Sequence, residues 1–300
     1  MAQEPNLLTT LSDVLVAQFA AARASVAAIR LSERAHLGAI LWRQDALVTS
    51  EQSLPERAAL DAILPDGSRM AGRLAGRDPA TNVAVIRLDG PAAAPDLSAS
   101  APQVGALAIA AGSDGAGRAS ARLGTVNAVG PEWHSMRGGR IEARIQLDIR
   151  LAGSEEGGPV FDAAGRWLGM TTFGPRGQIL VIPAATVERI APALLTSGRV
   201  PRGWLGIALR PVAVPDELRE SSGEATGLMV MSLSAEGPAA KAGIVAGDII
   251  LSVEGTSARR LRSVLAHLGS DSVGKTVALR VIRGGAVIAV EVTITERPGE

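Results

Sequence analysis

Between residues 25 and 185 the chain runs as short β-branched stretches cut by turn signals such as Pro65-Asp66-Gly67 and Arg137-Gly138-Gly139. Closely spaced short strands leave little chain for helical layers, so this rhythm predicts a mainly β fold, a barrel or a sandwich. Aromatic residues make up only 2% of the chain and tyrosine is absent, so the expected interior is aliphatic: Val, Ile, Leu and Ala. The 300 residues are ample for two domains. The Ala/Pro/Ser stretch from Pro91 to Pro102 fits a boundary between two barrels. Ala191–Ser197 reads as a helix end, and Gly198-Arg199-Val200-Pro201-Arg202-Gly203 as a linker.

Several function classes fall away on composition. Lys+Arg and Asp+Glu are both 30, so no basic field points to nucleic acid. Cysteine is absent, which removes disulfides, thiolate metal sites and a cysteine nucleophile. The scattered His36, His134 and His267 make no metal constellation, and neither metal nor other cofactor is expected. No apolar run approaches the ~20 residues of a membrane span. The N-terminus also lacks a positively charged region followed by an uninterrupted apolar block.

Residues 7–24 carry an apolar stripe at helical spacing: Leu7, Leu8, Leu11, Val14, Leu15, Gln18, Phe19 and Ala22. Either a short helix packs on its own barrel, or it presents an oligomer contact with Leu7 and Phe19 as anchors.

The segment Gly153-Ser154-Glu155-Glu156-Gly157-Gly158-Pro159-Val160 has the frame of a serine-protease nucleophile loop, in which serine stands directly before Gly-Gly-Pro. Here Glu156 holds that place. Two further segments and a run upstream accompany it. They are Asp45-Ala46-Leu47-Val48-Thr49-Ser50-Glu51-Gln52-Ser53-Leu54, Gly76-Arg77-Asp78-Pro79-Ala80-Thr81-Asn82-Val83-Ala84-Val85, and Leu147-Asp148-Ile149-Arg150-Leu151-Ala152. Together, with Ser25–Ile29 as an opening strand, these resemble the HtrA (DegP) family, a trypsin-like double β-barrel followed by a PDZ domain. The resemblance puts Gln52 on the catalytic histidine, Asn82 on the triad aspartate and Glu156 on the serine. The gapless spacing from Asp148 makes Glu156 the firmest of the three.

Each substitution removes a separate piece of the chemistry. A glutamine has no titratable nitrogen to take and return a proton. An asparagine lacks the charge that orients an imidazole and stabilises imidazolium. A glutamate offers no hydroxyl for attack, and its charge opposes the developing oxyanion. Ser154 is expected to satisfy backbone groups of the turn, and Glu155 and Glu156 to point apart. His134 reads as a loop or surface residue.

The second domain opens at Arg202-Gly203-Trp204-Leu205-Gly206-Ile207, which resembles the carboxylate-binding loop of a PDZ domain. Gly237-Pro238-Ala239-Ala240-Lys241-Ala242-Gly243-Ile244, the run Gly247–Gly255 and the hairpin Leu279–Gly285 match further parts of its pattern. Such a loop turns backbone N–H groups toward a peptide's terminal carboxylate beside a sheet edge. Trp204, Leu205, Gly206 and Ile207 are the expected carboxylate side. Leu261 and Leu265, four apart on a helix expected near 258–268, are the expected side-chain pocket, with Leu268 near them. His267 points elsewhere.

The resemblance therefore implies three segments: 1–24 helical, 25–198 a trypsin-like double barrel, and 199–300 a PDZ domain. Function reads as a catalytically inert scaffold, adaptor or chaperone-like holder in protein quality control. It would bind C-termini or extended segments of other proteins through the PDZ domain and the inert cleft, with Thr171-Thr172-Phe173 as the strand facing substrate backbones. Assembly as a homotrimer, or with an active paralogue, goes with that reading. The other reading is a serine endopeptidase with a non-standard catalytic arrangement. The compartment reads as cytoplasmic for want of a leader, although HtrA-like proteins are usually exported to the periplasm.

Overall fold

The structure is a computed structural model describing residues 6–113 and 118–298. It divides into two compact units. One comprises residues 1–133 and 141–200, the other residues 134–140 and 201–300.

In the first unit, α1 (Leu7–Ala22) opens with Asn6, whose side chain accepts the Thr9 N–H as an N-cap. Six strands then close a barrel in the order β1-β2-β3-β6-β5-β4. They are β1 (Val26–Arg30), β2 (His36–Arg43), β3 (Ala46–Ser50), β4 (Ala59–Ile63), β5 (Arg69–Asp78) and β6 (Val83–Leu88). The second half contains β7 (Leu107–Ser113), β8 (Ala119–Gly130), the short pair β9 (Trp133–His134) and β10 (Arg140–Ile141), β11 (Arg144–Leu147), β12 (Pro159–Asp162), β13 (Trp167–Phe173) and β14 (Ile179–Pro183). A second barrel closes as β11-β14-β13-β12-β7-β8. α2 (Ala184–Ser197) follows and stops where Gly198 takes a left-handed φ of 76°.

Strand alternation sorts the interior. In β3, Leu47 faces the first barrel's interior while Val48 faces outward onto a seam, so the whole strand is buried. Buried residues inside both barrels are wholly aliphatic, as composition demands. The buried aromatics collect instead at the seam, where Trp42, Phe161 and Trp167 pack with Ile40, Val85, Met170 and the inner face of α2. A fully buried leucine such as Leu47 carries the usual core cost of about 2–5 kcal/mol if truncated to alanine. Trp42 also donates its indole N–H to Glu188 of α2 at 2.7 Å, and Arg43 lies 4.2 Å over its ring.

α1 divides lengthwise between the two expected readings. Leu15, Gln18 and Phe19 are half-buried and Ala22 is buried, whereas Leu7, Leu8, Leu11, Val14 and Val16 are exposed. With its 3-10 extension it covers Leu7–Ser25, 19 residues of mean hydropathy 1.2, and is long and apolar enough to cross a membrane by length and composition. Asp13, Gln18 and Arg23 interrupt its apolar run without breaking the helix.

In the second unit, β15 (Gly203–Trp204) pairs with β22 (Thr295–Glu296). The main sheet runs β16 (Ile207–Ala213), β17 (Thr226–Leu233), β18 (Ile249–Val253), β20 (Thr276–Arg283), β21 (Ala286–Thr293), with β19 (Thr256–Ser257) beside β18. Its helices are α3 (Asp216–Ser222), α4 (Pro238–Lys241) and α5 (Leu261–Leu265). Arg283 and Ala286 face one another across a two-residue turn whose Gly284 and Gly285 both have positive φ, the geometry a tight hairpin requires. α5 is shorter than the helix expected over 258–268. No side chain caps its start at Arg260, and Gly269 follows closely.

Candidate functional site

Glu156 is the centre of a buried hydrogen-bond network in the first unit. It follows the 3-10 turn Gly153–Glu155, which connects β11 to β12, and its side chain is 3% exposed. The loop lies so close to β2 that a Cβ on Gly38 would stand 3.0 Å from the Gly158 nitrogen, so glycine at 38 is required. Oε1 accepts hydrogen bonds from Ser50 Oγ at 2.9 Å, Gln52 Nε2 at 2.6 Å, Thr172 Oγ1 at 3.1 Å and the Phe173 N–H at 3.4 Å. Oε2 accepts from Ser53 Oγ at 2.5 Å. A buried carboxylate is thus held by neutral hydroxyl and amide donors.

Gln52 and Asn82 belong to the same network. Gln52 stands in the turn after β3, and its Nε2 also reaches Thr172 Oγ1 at 3.0 Å and the Phe173 carbonyl at 3.2 Å. Asn82 stands in the turn between β5 and β6 with φ 59°, a left-handed conformation that asparagine tolerates better than most residues. Its Oδ1 accepts the Gln52 N–H at 2.7 Å, and its Nδ2 donates to Thr172 Oγ1 at 2.7 Å. The three residues aligned with a triad therefore do converge, through Thr172, and no histidine is among their partners. His36 of β2 is engaged with the Ser113 carbonyl at 2.7 Å.

The two glutamates point apart. Glu155 is 5% exposed and turns to β8, where Ser120 Oγ donates at 2.9 Å and Arg122 Nε at 3.1 Å, and it also accepts the Ala152 N–H at 2.8 Å. Burial pushes its pKa up. The Ala152 N–H, the Ser120 hydroxyl and the Arg122 guanidinium outweigh that and hold it below the ordinary range. Glu155, not Ser154, satisfies the turn: Ser154 Oγ makes no hydrogen bond among the described residues, because a side chain three residues along reaches back to the start of the turn and Ser154 faces outward. The Glu156 N–H donates to the Gly153 carbonyl at 3.4 Å. In acyl-transfer enzymes the backbone N–H at the nucleophile position faces the oxyanion instead.

Sequence reasoning missed Ser50 and Ser53 as partners of Glu156. Their spacing around Gln52 was the available signal, since Ser50 closes β3 and Ser53 lies in the turn that follows it. Among the described residues no group of three or more histidines and carboxylates is placed to hold a metal ion.

In the second unit, the carbonyls of Leu205 and Gly206 point inward, accepting from Ala239 at 3.0 Å and Ser234 at 2.8 Å. In a trans peptide the N–H opposes the C=O, so the Gly206 and Ile207 N–H groups point outward together. Gly206 adopts φ 74°, and β16 is an edge strand of the sheet. Leu205 is buried, Trp204 and Ile207 half-buried. Ile207 and Leu209 pack on the core that contains Val264 of α5. Leu261 is 46% exposed beside them, and Leu265 is half-buried and faces Gly138 of the 134–140 segment, where a Cβ would stand 3.0 Å from the Leu265 Cβ. The two outward N–H groups thus lie together at the start of the edge strand β16.

Fold and domain order define a trypsin-like double barrel joined to a PDZ domain. Residues 38–170 match the trypsin-like peptidase domain and residues 203–294 match the PDZ domain. The chain is an HtrA/DegP-like protein. It is 29% identical over 276 residues to a probable periplasmic serine endoprotease DegP-like of Brucella suis biovar 1 (strain 1330), covering 88% of this chain and 53% of that protein. It is 31% identical over 263 residues to the one of Bartonella henselae, covering 84% and 51%. The chain thus spans about half the length of the curated relatives it matches. Its fold is similar to that of the HtrA-type protease AlgW, solved with a decapeptide (TM-score 0.73, 22% identity, 94% of this chain and 98% of that one). It is also similar to the serine endoprotease from Yersinia pestis (TM-score 0.71, 23% identity, 99% and 100%). Nothing in these relatives supports the cytoplasmic expectation.

Proposed function

We propose that this chain is an HtrA-type pseudoprotease, a non-catalytic scaffold or chaperone-like holder that recognises the C-termini or extended segments of other proteins. The observation that carries the reading is Glu156: its carboxylate fills the nucleophile position, tied to Gln52 at 2.6 Å and Ser53 at 2.5 Å. No hydroxyl–imidazole pair remains there to attack a peptide carbonyl. Gln52 and Glu156 also occupy the side chain of Thr172 and the backbone of Phe173, so the strand expected to face substrate is engaged within the chain. Recognition then falls to the PDZ loop Trp204–Ile207, with Leu261 and Leu265 lining the pocket for an apolar last residue. Peptides held by a similar HtrA-type protease support that side of the reading. The division at 24/25 and 198/199 and assembly through α1 belong to the same proposal. So does a periplasmic setting, which the relatives' names and the apolar α1 favour.

One contact favours a second reading. Ser53 Oγ and Glu156 form the shortest of the three hydroxyl–carboxylate contacts there, at 2.5 Å, an arrangement that resembles an activated nucleophile. Purified chain incubated with casein separates the two. The expected result is no turnover; turnover that disappears in Ser53→Ala selects the enzyme. For the PDZ domain, free C-terminal peptides ending in Val, Leu or Phe should bind, and C-terminal amidation should abolish binding. Unchanged affinity after amidation excludes carboxylate capture.

A further inference from the structure

The cleft carries a lock that is separate from the three substituted triad positions. An oxyanion is stabilised by backbone N–H groups aimed at it, the one at the nucleophile position among them. Here that group, the Glu156 N–H, is turned onto the Gly153 carbonyl within the Gly153–Glu155 turn. The Glu155 N–H closes the same turn onto the Ala152 carbonyl at 2.9 Å.

The Glu155 side chain fastens this turn from below. Oε2 accepts the Ala152 N–H at 2.8 Å, tying the end of the turn to its beginning. Oε1 is anchored on β8 by Ser120 and Arg122, which lie two apart and so project from one face of the strand. The chain of the side chain lies over Gly112 of β7, where a Cβ would stand 2.8 Å from Glu155 Cγ. A Cβ added at Gly153, by contrast, would meet nothing within 4 Å, so packing does not fix the start of the turn. The peptide that carries the Glu156 N–H is held at its carbonyl by the Thr171 hydroxyl at 2.8 Å and the Gly158 N–H at 3.3 Å, and the charge-assisted bonds of the buried Glu155 carboxylate add to that hold from the other side of the turn.

We propose that Glu155, clamped by Arg122 and Ser120, is a positioning residue that holds the oxyanion loop closed, so that restoring the triad alone restores only slow proteolysis. This rests on the inert-cleft reading above. It also assigns Arg122, 33 positions away in sequence, a part in the site.

The test starts from a chain carrying Gln52→His, Asn82→Asp and Glu156→Ser. Casein hydrolysis and labelling by a fluorophosphonate probe are measured on it, and again after adding Glu155→Asn or, separately, Arg122→Gln. Arg122 is half-exposed on β8, so its replacement keeps a folded protein in hand should Glu155→Asn unfold; thermal melts report folding for each variant. The triple variant is expected to turn over slowly. Releasing the clamp should raise kcat at least tenfold, towards the roughly 10²–10³ that a single oxyanion donor supplies, with KM within about twofold. A residue that only supported the fold would not raise kcat when removed. Equal kcat with and without the clamp, including no activity in either, overturns the assignment. Casein cleavage by the unsubstituted chain is a different outcome, rejecting the inert-cleft reading itself.

Discussion

Replacing Glu156 by leucine measures how firmly the cleft is built around a carboxylate. Of its partners, Ser50 keeps Asn82 Oδ1 at 3.2 Å, and Gln52 keeps Thr172 and the Phe173 carbonyl. Ser53 is half-buried and reaches water. The Thr172 hydroxyl, in a residue 5% exposed, loses its acceptor, as does the Phe173 N–H. One to two orphaned donors at about 1–3 kcal/mol each give a loss of about 3 kcal/mol. For a unit of this size that lowers Tm by roughly 6–12 °C. Glu156→Gln is the control. Its amide oxygen serves the Oε1 donors and its NH₂ faces Ser53, whose hydroxyl turns to accept, so the cost is about 1 kcal/mol. Urea unfolding of the two variants is the assay. A leucine variant as stable as the glutamine one would show that the hydroxyl cage contributes nothing beyond packing, and the reasoning fails.

Three further outcomes are expected. Gly206→Ala forces a side chain into φ 74° and 3.0 Å from the Gly237 Cα; it should cost about 1–2 kcal/mol of PDZ stability and remove peptide binding, read by calorimetry. In Glu142, Glu155 and Asp162 burial raises the pKa, but arginine and hydroxyl or amide donors outweigh it and hold each below its ordinary range. Their stabilisation is complete above the unfolded carboxylate pKa and lost as pH falls through the lower folded values, so urea midpoints should be flat from pH 7 to about 5 and drop below about pH 4. Midpoints unchanged at pH 3 would contradict this. A chain truncated before Ala24 loses the exposed Leu7, Leu8, Leu11, Val14 and Val16; sedimentation should show a smaller assembly, and an unchanged mass removes the contact.

The fold was readable because its signals are local. Glycines at positive φ, such as the Gly284-Gly285 turn, and alternating β-branched runs write strand ends and register directly into the chain. Gln52, Asn82 and Glu156 were singled out by the resemblance of their segments to family motifs, and the structure brings their side chains into one network. Their partners were not. Ser50 meets Glu156 across 106 residues and Arg122 meets Glu155 across 33, and no spacing rule links a strand residue to a loop on another strand. Composition predicted the aliphatic barrel interiors, but it carried no information that the few aromatics would gather at the seam with α2.

The placement of Trp204 has a practical consequence for following ligand arrival. Trp42 and Trp167 are sealed in the seam, whereas Trp204 is half-buried with its ring 3.3 Å from where a Gly206 Cβ would stand. With no tyrosine anywhere in the chain, emission excited in the near ultraviolet comes almost entirely from four indoles, and this one flanks the peptide loop. Occupancy of that loop can therefore be titrated by intrinsic fluorescence, with no label on either molecule.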